Sequence, residues 1–167
     1  MQVPIQQPSP EKTILLVDDD PSTRLICMKT LRAIGYTVLE AEGSSEAFRI
    51  LATHKGPIDL LLTDLMLPPP GFQLTSAKNP YPRVHGHDII QRTLAMRKIS
   101  RVILMSSLSH QERKAYQTVA DHVPFLQKPF TVEALVDQVR SVLAAAPLAF
   151  DNVAATSPDK KDIRWID

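Results

Sequence analysis

A single cysteine, Cys27, in 167 residues excludes an internal disulfide framework and a zinc site built from cysteines. An excess of one charge is also missing. Nineteen basic residues stand against 18 acidic ones, for a formal net charge of +1. Such a balance carries no electrostatic footprint for nucleic acid or for an anionic membrane. No apolar run approaches the ~20 residues that would span a bilayer. The opening MQVPIQQPSP lacks the basic start and apolar stretch of a secretory signal. These absences point to a soluble, cytoplasmic protein with no membrane contact and no direct nucleic-acid partner. What is present is apolar side chain, 44% of the residues, too much for a disordered chain. The length suits about one domain, able to bury roughly 70% of its unfolded surface.

Residues 1–11 read as an extended polar arm, with three prolines among the first ten. Strand-like apolar runs and helical patterns then alternate. The expected strands are Ile14–Val17, Tyr36–Ala41, Ile58–Thr63, Val102–Ser106 and Val123–Gln127. The expected helices are Pro21–Ile34, Ser44–His54, Asp88–Lys98, Ser109–Ala120 and Thr131–Ala145. In the first helix Leu25, Met28, Leu31 and Ile34 recur at helical spacing, and Gly35 is a natural stop. The last carries Val132, Leu135, Val136, Val139, Val142 and Leu143, a broad stripe for packing on a sheet. Five βα units in series predict a parallel sheet with helices on both faces. Right-handed crossovers make that a doubly wound α/β sandwich. Pro68–His85 breaks the rhythm: it holds five of the 14 prolines and reads as one long loop. From Pro147 the chain turns polar and ends in KKDIRWID.

In open α/β sheets ligands bind beyond the carboxyl ends of the strands, so the residue after each strand is informative. Strand one is followed by Asp18-Asp19-Asp20, strand three by Asp64, strand four by Ser106-Ser107, and strand five by Lys128-Pro129. Asp20-Pro21 is a good helix start, an N-cap followed by proline at the first helical position. That explains Asp20 and leaves the other acids unexplained. Two like charges roughly 4 Å apart cost about 4 kcal/mol at an effective dielectric of about 20. Clustered carboxylates at one edge therefore need compensation. Lys128 supplies one positive charge, and a hard divalent cation with oxygen ligands would supply the rest. Such a cation, a lysine and a hydroxyl together suit phosphoryl oxygens, and an aspartate among them could accept a phosphoryl group.

The segments ILLVDDDPSTR, LLLTDLMLP, VILMSS and FLQKPF, in that order at the strand ends, resemble the response-regulator receiver family of two-component signalling. The likeness covers residues 12–146. It implies a flavodoxin-like (βα)5 sandwich with strand order 2-1-3-4-5, an enlarged loop at 69–85 and a tail at 147–167. It further implies Asp64 as phospho-acceptor. Asp18 and Asp19 become the acidic pair for Mg2+ or Mn2+, Asp19 ligating directly. Asp64 and the backbone carbonyl of Met66 complete the metal ligands. Ser106 then supplies the hydroxyl drawn to the phosphoryl group, and Lys128 pairs with it, its bond to Pro129 expected cis. Phe125 matches the aromatic switch residue that swings inward as the serine moves. The readout implied is a small shift in the face made by Ser109–Ala120, Val123–Gln127 and Thr131–Ala145, which is also where a homodimer would form. A sensor histidine kinase or histidine phosphotransfer protein stands upstream in this reading, and a protein of unspecified identity downstream.

The chain departs from the family pattern in three places. Residues 69–85 replace the usual spacer of about three residues between the proline after the acceptor and the next glycine. A lid, a partner-docking loop and a tolerated insertion are the open readings of that segment. Met66 and Leu108 occupy the positions that tune phosphate lifetime; both are apolar and cannot orient an attacking water, so slow self-dephosphorylation is expected. No output domain follows, which reads as a stand-alone receiver and a regulator rather than an enzyme acting on other substrates. His85-Gly86-His87 is read as incidental and Cys27 as core. Trp165, with Ile163 and Ile166, is either a docking peptide or a segment folding back.

Two other functions compete. In a haloacid-dehalogenase-like phosphatase, Asp18 would be nucleophile and Asp20 general acid–base, with Ser106 and Lys128 supporting. That pattern needs a second acidic pair downstream, where only the helical Glu133 and Asp137 occur, and it leaves Asp64 without a role. A phosphate-independent interaction module is opposed by the joint presence of Asp18, Asp19, Asp64, Ser106 and Lys128.

Overall fold

The computed structural model describes residues 11–67, 90, 93, 99, 101–109, 111–112 and 123–148. The elements in order are β1 (Thr13–Val17), α1 (Pro21–Ala33), β2 (Thr37–Ala41), α2 (Ser44–Thr53), β3 (Leu60–Asp64), β4 (Val102–Ser106), β5 (Phe125–Gln127) and α3 (Val132–Ala144). Of the expected helix Asp88–Lys98 only Ile90 and Thr93 are described, both helical and buried; most of Ser109–Ala120, the loop 69–85 with His85, arm residues 1–10, His87, and tail residues 149–167 with Ile163, Trp165 and Ile166 lie outside the described residues. Where the second of those helices begins, Ser109 and Glu112 cap each other. The Ser109 N–H donates to Glu112 Oε2 at 2.7 Å, and the Glu112 N–H to Ser109 Oγ at 3.3 Å.

The five strands pair in the order β2-β1-β3-β4-β5, all parallel. Alternate strand residues face opposite sides. Leu15, Val17, Leu61, Val102 and Leu104 share one core with Ala47 and Leu51 of α2. Ile14, Leu16, Leu60, Leu62, Ile103 and Met105 share the other with Cys27 and Leu31 of α1 and Leu135, Val139 and Val142 of α3. The doubly wound, flavodoxin-like sandwich is therefore the architecture. Each fully buried leucine or isoleucine contributes roughly 1.5–3 kcal/mol against remaining exposed. Among the described residues no helix is long and apolar enough to cross a membrane.

Several element ends differ from expectation for local reasons. Gly35, at φ +97°, closes α1 in a Schellman motif: its N–H donates to Arg32 O and that of Tyr36 to Leu31 O, each at 3.1 Å. Tyr36 is thereby committed to the helix end, and β2 starts at Thr37. Before β3, Ile58 is buried but outside the ladder, while the Asp59 carboxylate holds the Thr13 N–H at 2.8 Å and Lys12 Nζ at 3.1 Å. β5 starts at Phe125 because Pro124 has no N–H to donate; its carbonyl still accepts from the Leu104 N–H at 2.8 Å. The helix stripes are also narrower than the pattern suggested. Leu25 and Val132 are 46% and 47% exposed, and Ile34 is exposed as well.

Candidate functional site

The register brings the strand ends to one edge. Val17 pairs with Thr63, so Asp18 and Asp64 are the next residues on neighbouring strands. Asp64 pairs with Met105, and Ser106 with Gln127, so Ser106 and Lys128 follow in the same row. The Lys128 N–H donates to the Ser106 carbonyl at 2.7 Å, tying the turn after β5 to the end of β4. The Lys128–Pro129 bond is cis.

Lys128 Nζ lies 2.7 Å from Oδ2 of Asp18 and 2.7 Å from Oδ2 of Asp64. The remaining oxygens are aimed by main chain. Asp18 Oδ1 accepts from the Asp20 N–H at 2.9 Å, and Asp64 Oδ1 from the Met66 N–H at 2.9 Å. Asp18 is fully buried, and Asp64 nearly so. Burial is the largest influence on the Asp18 carboxyl and holds it above the ordinary carboxylate range, although Lys128 and the Asp20 N–H pull the other way. Burial acts to lower Lys128, but its bonds to the two aspartates outweigh that and leave it above the ordinary lysine value.

Ligand oxygens of Asp18, Asp19 and Asp64 lie within 4.8 Å of one another, with Asp19 exposed at the mouth. Three hard oxygen donors facing one ammonium leave negative charge uncompensated, so the donor set fits a hard divalent cation. Ser106 is buried, and its Oγ accepts from the Leu108 N–H at 3.0 Å. Phe125 is the register partner of Leu104, so it shares a sheet face with Ser106, two residues further along β4. A groove of about 260 Å³ opens beside Lys128, lined by Thr23, Ile26, Ser107, Lys128, Pro129 and Phe130.

Asp20 is not brought to this cluster. Its carboxylate accepts from the Ser22 N–H, the Thr23 N–H and the Thr23 hydroxyl, at 3.1, 3.2 and 2.6 Å. Those bonds, the hydroxyl's first, hold it below the ordinary range. A general acid needs the opposite shift. Arg24 was not singled out by the residue pattern, yet it donates to the Asp18 carbonyl at 2.7 Å. Its partner is a main-chain oxygen, which leaves no trace in residue types; the usable signal is a cation four residues after an acidic N-cap.

Residues 14–77 match the family model of the response regulator receiver domain. The solved receiver domain of the hybrid histidine kinase CckA superposes with a TM-score of 0.57 at 29% identity, covering 78% of this chain and 98% of that one. This chain carries a response-regulator receiver domain. A response regulator from Thermotoga maritima shares the receiver fold, with a TM-score of 0.61 at 21% identity over 81% of this chain and 99% of that one. Among curated proteins, the DNA-binding transcriptional regulator NtrC of Azospirillum brasilense is 28% identical over 138 residues, 78% of this chain and 24% of NtrC. The chain thus spans about a quarter of NtrC, one of several longer relatives that it matches in part.

Proposed function

We propose that this receiver is a phosphorylation-controlled signalling switch, accepting a phosphoryl group on Asp64 and signalling through protein–protein contact. One observation carries the reading: Lys128 Nζ bridges Asp18 and Asp64 at 2.7 Å each, inside a cluster of three carboxylates. The donor is a phosphohistidine on a sensor histidine kinase or a histidine phosphotransfer protein. A carboxylate oxygen of Asp64 bonds to phosphorus as the P–N bond breaks, and the electron pair leaves with the imidazole nitrogen, which takes up a proton. Asp18, Asp19, Asp64 and the Met66 carbonyl are the groups that would hold Mg2+ or Mn2+. A bound divalent cation supplies charge neutralisation for the phosphoryl oxygens. Lys128 moves from two carboxylates to the new phosphoryl oxygens. The Ser106 hydroxyl turns from its bond with the Leu108 amide toward them, and Phe125, on the same sheet face, follows it inward. The face that includes β5 and α3 then passes the change to a partner or a second copy. Nothing polar at Met66 or Leu108 activates water, so the phosphoryl group is long-lived.

The test is intact mass after incubation with a small-molecule phosphodonor and magnesium, for the native chain and Asp64→Asn. One phosphoryl group on the native chain alone, and none when magnesium is left out of the incubation, is the expected result. Free phosphate released in a way that depends on Asp18 would establish the phosphatase instead, against which Asp20's use as a helix cap already speaks. A folded chain that takes up nothing would favour the phosphate-independent module.

A further inference from the structure

We propose that Arg24 is a positioning residue for the cation site, holding the peptide that joins Asp18 to Asp19; this rests on the cation-dependent reading above. Arg24 stands four residues after the N-cap Asp20, and helical side chains lean toward their own N-terminus, so its guanidinium reaches back over the turn that precedes the helix. Nη1 donates to the Asp18 carbonyl at 2.7 Å, and Nη2 to Glu42 Oε1 at 3.3 Å. The Arg24 side chain is 14% exposed and that of Glu42 76%. The carbonyl contact is therefore the strong one, short, charge-assisted and shielded. The contact with Glu42 is a surface ion pair of little weight.

What the carbonyl contact fixes follows from what is already fixed. The Asp18 N–H donates to Ala41 O at 3.1 Å, and both its carboxylate oxygens have partners. Asp19 is exposed and makes no hydrogen bond through its carboxylate among the described residues. The direction of Asp19 therefore depends on the tilt of the Asp18–Asp19 peptide, and Arg24 holds that peptide by its oxygen. Two effects of Arg24 oppose each other. Its positive charge disfavours a cation, while its grip arranges the ligands beforehand. Nη2 faces the Glu42 carboxylate, which offsets part of that charge, so the grip dominates.

Calorimetric titration of the full chain with magnesium tests this, beside thermal unfolding without divalent cations. Arg24→Lys keeps the charge and loses the planar fork, and magnesium affinity is expected to fall about tenfold. Arg24→Ala is expected to weaken binding several-fold, even though a repelling charge has gone. Glu42→Gln is expected to stay within about twofold of native. A lower Tm with unchanged affinity in both Arg24 variants would make the residue merely structural, and tighter binding in Arg24→Ala would make it a repelling charge; either overturns the proposal. A native chain that binds no magnesium overturns the functional reading itself, which separates the two failures.

Discussion

The ammonium of Lys128 lies 2.7 Å from Oδ2 of Asp64, a charge-assisted bond between residues 64 positions apart that joins the ends of β3 and β5. The same nitrogen is equally close to Asp18. Removing it leaves two largely buried carboxylates facing each other without a counter-charge. Lys128→Met is therefore expected to lose about 3 kcal/mol of stability at neutral pH without divalent cations. Lys128 stands above the ordinary lysine value, so the pairing is complete below pH 10.5 and fades only as pH climbs through that raised value. Magnesium should narrow the gap between variant and native chain by taking over the neutralising role. Urea unfolding with and without saturating magnesium checks this. Equal stability of the two proteins, or a gap that magnesium does not change, would overturn it.

The opposite result is expected at Asp18. Burial raises its carboxyl above the ordinary 3.8. A raised folded value means that the group's stabilising contribution is whole below the unfolded range and is lost as pH climbs through the folded value. At pH 7 the ionised group thus weighs against folding compared with a neutral isostere. Asp18→Asn should leave Tm unchanged or raise it at neutral pH, while magnesium binding disappears. Thermal unfolding from about pH 4 to pH 7 reads the first part, and calorimetry the second. A clear drop in Tm at pH 7 would contradict the assignment of burial as the leading influence.

Asp18, Asp64, Ser106 and Lys128 were legible in the chain because parallel strands all deliver their carboxyl ends to one edge. Once four apolar runs were marked, the residues after them had to meet. Ile58 and Val123 were harder, since both are buried yet stand outside the ladder. An apolar run reports burial, whereas a strand is defined by its hydrogen bonds, and Pro124 cannot give one. Leu25 and Val132 were over-read for a different reason. Leu25 stands two residues before the buried Cys27, on the far side of α1, and Val132 is the first residue of α3, so apolar spacing alone overstates the buried stripe. Arg24 escaped because main-chain carbonyls are the same at every position.

That over-reading gives a direct contrast within α3. Leu135 is fully buried in the core shared with α1, whereas Val132, one turn earlier, is 47% exposed. Leu135→Ala is expected to cost about 3 kcal/mol, and Val132→Ala no more than about 0.5 kcal/mol. Urea unfolding of both variants decides it. Similar losses at the two sites would restore the broad stripe and contradict the packing.

Cys27 lies fully buried on the inner face of α1, in one core with β1 and β3 residues such as Leu16 and Leu62. Burial first, and the nearby charge of Asp18 second, push its thiol up to about 12. Neither the thiolate nor access is then available to a reagent in the folded chain. Labelling by an aromatic disulfide at about pH 8 should be at least about a thousandfold slower in the native protein than in urea, limited by opening of the fold. The same burial sets an alkaline trend. Between the ordinary value of 9.0 and about 12 the unfolded chain gives up this proton while the folded chain keeps it. Stability from this group is therefore whole below pH 9 and falls as pH climbs toward 12. Cys27→Ala should flatten that alkaline decline relative to the native chain, whatever it costs in packing at pH 7. Fast labelling of the folded protein, or parallel alkaline slopes in the two proteins, would show that the α1 core opens far more readily than its packing implies.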